Sequence, residues 1–370
     1  MTVRVGIISA NWGAIAHLPA WRSLPDVEVT SICTSRRETA EAAASRFGIA
    51  RAFWDFRDMC ADPDLDIIDC GTRPTLRQDM VLSALANRKH VYNGIPFAAD
   101  LERAAAMLDA HRQAGTVGVI DALSQWIPAH RLLKERLEGG ELGELFAGSC
   151  RFTTSLFNAP VPGFPYNWFH EGGHGVSAVR NMGSHALNLL VWLFGPVAEV
   201  VADDRMALKE WRFPNGETLT PETNDLANAI LRFESGLVMQ LQVSWTAVLG
   251  EGWALDVFGS KGRAHVADSQ NFPTSRGTRL STGQLGGAMS EVEIPERLTS
   301  ADDVACDWTA PIPPVFPMAL AMRSMVDAVA GKPGAEAAPG FAQGYEVERV
   351  QEAIRRSSTG RRWVALDEVP

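Results

Sequence analysis

The sequence predicts an α/β chain in two parts. A doubly wound parallel sheet occupies residues 1–122, and an α+β domain with a large, mostly antiparallel open sheet occupies residues 123–370. Three observations predict it. The first third alternates short apolar segments with longer amphipathic ones. The links between them are short. Past Ala122 the pattern gives way to longer runs closed by Gly-containing turns. Strand–helix alternation with short links implies a parallel sheet, whose right-handed crossovers place a ligand at the carboxyl ends of the strands. A chain of 370 residues can bury two cores.

Val3–Ile8 reads as a buried strand, Ala14–Leu24 as a helix and Val27–Cys33 as a second strand. Glu38–Phe47 is an alanine-rich helix, Ile67–Cys70 a short strand, Gln78–Asn87 a helix and His90–Tyr92 another strand. Leu101–Ala114 and Val117–Ile120 complete the alternation as helix and strand. In the second part Ala129–Glu138 is helical up to Gly139-Gly140, and Leu145–Thr154 is strand-like. A Pro-, Gly- and aromatic-rich loop spans Ser155–Gly173, and the helix Ser184–Phe194 stops at Gly195-Pro196. Val197–Asp203, Ala227–Glu234, Leu237–Val243, Leu255–Phe258 and Arg263–Val266 read as strands. The turns Ser235-Gly236 and Ser260-Lys261-Gly262 make hairpins of them. Residues 268–312 read as a long polar excursion, and Phe316–Ser358 as two helices.

Composition narrows the function. A net charge of -10 argues against a nucleic-acid surface, which needs clustered basic charge. No apolar run reaches a membrane-spanning length of about 20 residues, and no signal peptide is visible, so the expected setting is the cytoplasm. Five scattered cysteines without a C-x-x-C pair predict neither a disulfide framework nor a thiolate zinc site.

The first strand runs into Gly6-Ile7-Ile8-Ser9-Ala10-Asn11-Trp12-Gly13-Ala14. A G-x-G-x-x-G/A dinucleotide fingerprint falls on Ser9, Asn11 and Ala14. Asn best tolerates the left-handed angles that glycine supplies, and Ala14 keeps helix and strand close. The reading is a Rossmann-type dinucleotide site of weakened affinity, with the pyrophosphate at a helix N-terminus. The alternative is a domain that has lost its cofactor. Trp12 either stacks on the cofactor or plugs its place. The second strand ends in Thr34-Ser35-Arg36-Arg37 without the acid that would hold ribose hydroxyls. Hydroxyls plus guanidinium groups suit a 2′-phosphate, so NADP is expected, with NAD possible. The bland alternative is that Arg36 and Arg37 are solvated first-turn residues.

Several segments resemble one family. Lys89-His90-Val91-Tyr92-Asn93-Gly94-Ile95-Pro96-Phe97-Ala98 is similar to the K-H-V-x-x-E-K-P-x-A segment of the glucose-fructose oxidoreductase / inositol dehydrogenase family. Leu231–Gly236, Val257–Gly262 and the helix from Gly344 resemble its hairpins and last helix. The resemblance implies a nicotinamide-dependent oxidoreductase, with Thr72-Arg73-Pro74, Gly94 and Pro96 beside the cofactor. It also implies a homodimer or homotetramer paired through the open sheet.

The chain departs from that family where the chemistry sits. The family's catalytic lysine is Ile95, preceded by Gly94 instead of Glu. Its D-x-G-x-H pattern falls on Asn181-Met182-Gly183-Ser184-His185, so histidine is kept and aspartate lost. Arg77 stands for its usual histidine, and Gln125 for an arginine. His185, placed at a helix start where the dipole favours the neutral imidazole, is the first proton-transfer candidate. Asn181 orients a hydroxyl; His174 and Tyr92 are further candidates, and Arg180 could hold an anion. His170, Tyr166, Trp168 and Trp126 are the expected substrate walls. No metal is expected, since His170, Glu171 and His174 on a loop make a weak ligand set. The expected substrate is a small hydroxylated molecule, sugar-like, alicyclic or aromatic-derived. The rivals are a non-catalytic ligand-binding or regulatory chain and a cofactor-dependent lyase or hydrolase.

Overall fold

The computed structural model describes residues 2–310 and 313–370; Pro311 and Ile312, at the end of the expected excursion, lie outside them. The chain forms two compact units, Met1–Trp126 with Ser300–Tyr345, and Ile127–Thr299 with Glu346–Pro370. A single cut between residues 122 and 123 therefore does not describe it. The reason lies in the helix Val315–Val329, which buries Phe316, Met318, Leu320, Met322, Met325 and Val326. Its Arg323 pairs with Asp26 of the first unit. Ile120 also donates its N–H to Pro339 at 2.8 Å, which caps the open edge of the first sheet.

In the first unit six parallel strands follow the order β3-β2-β1-β4-β5-β6. They are β1 (Val3–Ile8), β2 (Val27–Cys33), β3 (Arg51–Phe53), β4 (Ile67–Cys70), β5 (His90–Asn93) and β6 (Gly118–Ile120). Val3, Val5, Ile7 and Ile8 of β1 are buried, as a strand covered on both faces requires. The order reverses between β1 and β4, which is where such folds open a ligand crevice. The helices are α1 (Leu18–Arg22), reached through a π-turn Gly13–His17, α2 (Arg37–Phe47), α3 (Phe56–Ala61), α4 (Pro74–Ala86) and α5 (Leu101–Ala114). Two elements, β3 and α3, were not expected; Asp55 starts α3 by accepting the Arg57 N–H at 2.8 Å. Helix α4 begins at Pro74, four residues before the expected Gln78, because proline suits the first helical turn.

The second unit contains α6 (Pro128–Glu138), β7 (Leu145–Thr153), α7 (Met182–Phe194), β8 (Val197–Arg205) and the short pair β9 (Trp211–Arg212) and β10 (Thr218–Leu219). The remaining strands are β11 (Leu226–Phe233), β12 (Val238–Ser244), β13 (Gly252–Gly259), β14 (Gly262–Asp268), β15 (Arg279–Gln284), β16 (Ser290–Glu291) and β17 (Val364–Ala365). Nine of them form one sheet in the order β16-β15-β14-β13-β7-β12-β11-β8-β17. All neighbours are antiparallel except β12 and β7. The excursion thus contributes two strands to the sheet. Along β11 buried and exposed residues alternate strictly, so one face is core and the other carries Asn228, Ile230 and Arg232. Gly195, at φ 88°, ends α7 as its sequence signal implied.

Candidate active site

The dinucleotide loop closes without glycine at two fingerprint positions. Ser9 Oγ accepts the Asn11 N–H at 3.1 Å. The Asn11 carbonyl accepts the N–H of Ala14 at 3.0 Å and of Ile15 at 2.8 Å. The left-handed angle that suits Asn11 is not used: among the described residues the non-glycines of positive φ are Arg88, Leu249 and Arg361. The glycine that this turn does require is Gly13. A Cβ there would stand 2.9 Å from Ile7 Cγ2 and 3.0 Å from Ser9 Cβ. A Cβ on Gly71, just after β4, would lie 3.1 Å from Gly13 Cα. Backbones thus meet at the switch point, which is the close approach that a pyrophosphate loop needs. Ala14 is buried, Asn11 exposed and Trp12 half-buried.

At the end of β2 the Thr34 hydroxyl donates to the Arg36 carbonyl at 3.1 Å and lies 2.6 Å from the Thr39 hydroxyl. Arg37 pairs with Glu41 at 2.8 Å, and its guanidinium stands over Trp54, 4.9 Å from the ring centroid. Ser35 and Arg36 are exposed.

The strand end where the family places Glu and Lys is built differently here. Arg77 is buried, and its Nε donates to the Thr72 carbonyl at 2.9 Å. Its Nη1 donates to the carbonyls of Gly94 and Pro96, and its Nη2 to that of Ile95 at 3.1 Å. One planar fork thus holds four carbonyls of the two segments expected beside a nicotinamide. A Cβ on Gly94 would meet Arg77 Nη1 at 3.3 Å and Cζ at 3.4 Å, which explains why glycine accompanies this arginine. Ile95 packs against the unit's hydrophobic core. Arg73 precedes Pro74 as the N-cap residue of α4, and Thr72 Oγ1 lies 3.3 Å from Met80 Sδ.

Beneath the loop lies a buried polar cluster that the sequence reading missed. His17 Nδ1 is 2.9 and 3.0 Å from the two Asp69 oxygens, and His17 Nε2 is 3.0 Å from Asp121 Oδ2. Trp21 Nε1 donates to Asp69 at 2.8 Å, Tyr92 Oη to Asp121 Oδ1 at 2.9 Å and Trp12 Nε1 to Asp121 Oδ2 at 3.2 Å. Burial alone pushes the His17 imidazole down, but the two carboxylates outweigh it and raise its pKa to about 10. Tyr92, expected as a proton-transfer group, is fully buried here, and its hydroxyl pKa is raised well above the usual 10 by burial and by Asp121. Trp126, expected as a substrate wall, belongs to the first unit and donates its indole N–H to the Ala338 carbonyl at 3.0 Å.

The second unit gathers the other sequence-predicted residues around the start of α7. Asn181 is the N-cap residue, and half-buried His185 stands in the first turn, its ring edge-on to Phe272 at 4.7 Å. Ser184 Oγ donates to the Arg180 carbonyl at 2.5 Å and accepts from Gln351 at 2.7 Å, which fixes the turn before His185. Arg180 is held by Glu348 at 2.6 Å and by the Gly175 carbonyl at 2.8 Å. His174 Nε2 lies 2.9 Å from Glu171, edge-on to Trp168 at 5.3 Å. His170 Nδ1 sits 2.7 Å from the Asn167 carbonyl. Much of the aromatic loop is core: Phe157 stacks on Trp211 at 3.9 Å, and Phe169 packs on Trp245 at 5.5 Å. Tyr166 and Trp168 stay half-buried. Among the described residues no three His, Cys, Asp or Glu side chains gather as a metal site, and no helix is long and apolar enough to cross a membrane.

Comparison with known proteins agrees with this architecture. Residues 3–121 match the family model described as the oxidoreductase family, NAD-binding Rossmann fold, and residues 130–265 match the GFO/IDH/MocA C-terminal domain. Levoglucosan dehydrogenase of Pseudarthrobacter phenanthrenivorans is 23% identical, the match covering 99% of each chain. D-apiose dehydrogenase of Paraburkholderia graminis is 29% identical over 65% of this chain and 60% of its own. A structure of levoglucosan dehydrogenase in complex with NADH and L-sorbose superposes with a TM-score of 0.87 at 21% identity, covering 99% of both chains.

Proposed function

Because the chain belongs to the GFO/IDH/MocA family of NAD-binding Rossmann oxidoreductases, we propose that it oxidises or reduces a small hydroxylated, sugar-like substrate with an acid/base set rearranged around His185. The observation that carries this is the turn Arg180–His185, in which the Ser184 hydroxyl is tied to the Arg180 carbonyl and to Gln351 and an imidazole follows at the start of α7, while the family lysine is absent. The family relatives named above act on sugars by their names, which supports the substrate class.

The first unit would hold the cofactor through the loop Ser9–Ala14, the turn Thr72–Pro74 and the Gly94–Pro96 strand end. The nicotinamide, when bound, supplies hydride exchange. The chain's own residues do the rest. His185 takes the hydroxyl proton as the carbinol is oxidised and returns it on reduction. Asn181, which cannot hold charge, orients that hydroxyl. Arg180 is neutralised by Glu348, so it positions the turn rather than binding a second anion. Exposed Ser35 and Arg36, with no acid at the end of β2, support NADP over NAD. A homo-oligomer paired through the polar face of the nine-stranded sheet, in the cytoplasm, completes the reading. Exposed Ile230 and Phe258 on that face support it.

A second reading has its own observation. Ile95 is partly buried against the core and Arg77 occupies the space beside Gly94, so the position where the family has lysine is filled by other contacts. That suits a ligand-binding or regulatory chain. Fluorescence titration with NADPH and NADH, followed by a polyol and sugar panel, separates the two. Tighter NADPH binding with turnover of a polyol supports the enzyme; equal or tighter NADH binding removes the NADP assignment. Binding of neither, with a sugar ligand still bound, supports the regulatory reading.

A further inference from the structure

We propose that His17, clasped between Asp69 and Asp121, is the positioning residue that fixes Trp12 as a wall of the dinucleotide loop and so sets nicotinamide-cofactor affinity. The inference rests on the reading of the first unit as a cofactor-binding unit.

The cluster joins four segments that meet at the carboxyl ends of the strands. Trp12 and His17 come from the loop and its π-turn, Asp69 from β4, Tyr92 from β5 and Asp121 from the residue after β6. His17, Asp69, Tyr92 and Trp21 are fully buried, and Asp121 is 3% exposed. Two carboxylates so placed repel each other, and burying them is strongly unfavourable without a cation between them. His17 is that cation, with one ring nitrogen on each. Asp121 takes three donors, Trp12, His17 and Tyr92, so its orientation depends on all of them.

Trp12 is the consequence that faces outward. Its indole N–H is tied to Asp121, and its ring stands edge-on to His17 at 6.4 Å, interplanar 81°. His17 in turn is edge-on to Tyr92 at 5.2 Å, and Tyr92 to Trp21 at 5.6 Å. Both the hydrogen bonds and the ring contacts therefore run from the buried imidazole to the one large side chain of the loop. Trp12 is half-buried, between Asn11 and Gly13, where the backbone must come close to the pyrophosphate. A ring anchored at that point is a fixed wall; a ring that loses its bond to Asp121 is held less firmly, and binding must then order it at an affinity cost.

The test uses the full chain labelled with 5-fluorotryptophan. Among its 11 tryptophans the Trp12 line is assigned by its loss in Trp12→Phe. In His17→Gln, checked as folded by circular dichroism, the Trp12 line should shift or broaden without nucleotide, and the Kd for NADPH or NADH should rise about tenfold. Trp12→Phe keeps a ring but loses the N–H donor, and should also weaken binding while leaving thermal stability nearly unchanged. It carries the test if His17→Gln does not fold. An unmoved Trp12 line and an unchanged Kd in His17→Gln overturn the positioning role, as does a Trp12→Phe protein that binds nucleotide as tightly as the parent. If the parent binds neither nucleotide, the cofactor reading falls and takes the affinity role with it; the Trp12 line of His17→Gln then shows separately whether the imidazole holds the ring.

Discussion

Replacing Arg77 by methionine should destabilise the first unit more than any exposed substitution, and the size follows from the contacts. The guanidinium donates to the carbonyls of Thr72, Gly94, Ile95 and Pro96, all at a site with almost no solvent. Hydrogen bonds from a charged donor contribute about 1.5–3 kcal/mol each, and acceptors left buried cost a further ~1–3 kcal/mol apiece. Against this stands the desolvation of the guanidinium itself, several kcal/mol, which methionine does not incur. The balance is taken as a loss of roughly 3–5 kcal/mol, at the upper end for single substitutions because several buried carbonyls lose their donor at once. At about 2–4 °C per kcal/mol for a domain of this size, melting should fall by roughly 6–20 °C. Calorimetry of the first-unit transition reads it directly. The companion variant is Gly94→Ala. Its new Cβ would press on Arg77 Nη1 and Cζ, so it should cost about 1 kcal/mol in the parent and less than half of that beside Arg77→Met, a coupling typical of residues in contact. A fall of under about 2 °C for Arg77→Met, or strictly additive effects in the double variant, would refute the clamp.

Two further outcomes are expected. Once a substrate is in hand, His185→Ala should lower turnover by about 100- to 10,000-fold with cofactor affinity nearly intact, and should remove the pH-profile limb of the imidazole; near-normal turnover, with His174→Ala inactive, would move the base to the loop. The raised pKa of His17 gives the first unit a pH dependence whose sign is fixed. The folded value, about 10, lies above the ordinary 6.5, so this stabilisation is complete below about 6.5 and is lost as pH rises through about 10. Thermal unfolding followed from neutral pH upward should show a steeper decline for the parent than for His17→Gln, and parallel curves would count against a charged His17.

The two halves of the problem were unequally legible. Strand–helix alternation revealed the parallel sheet because β1, β4, β5 and β6 are buried along most of their length, as strands covered on both faces are. The return of Ser300–Tyr345 to the first unit was not legible, since the helix Val315–Val329 is apolar nearly all round and its sequence does not say which core it fills. Strand β3 was missed because Arg51, Ala52 and Phe53 are only half-buried and carry no alternation.

The site divides the same way, and for a physical reason. The Asn181–His185 motif could be read because its residues are local to one turn. In the aromatic loop, Phe157 and Phe169 pack on Trp211 and Trp245, partners that no local pattern announces. The His17 cluster is the extreme case: its histidine and second carboxylate are 104 residues apart. One signal did exist. Asp69 interrupts the apolar strand Ile67-Ile68-Asp69-Cys70, and a carboxylate buried in the middle of a parallel sheet must have a donor waiting for it. His17, at the end of the π-turn, supplies that donor, and the two with Asp121 form a buried polar cluster at the carboxyl ends of the first sheet. The Arg77 fork, which holds the Ile95 carbonyl, and the His17 clasp beneath the loop both lie in the first unit, and a substitution such as Ile95→Lys should meet such contacts before it does any chemistry.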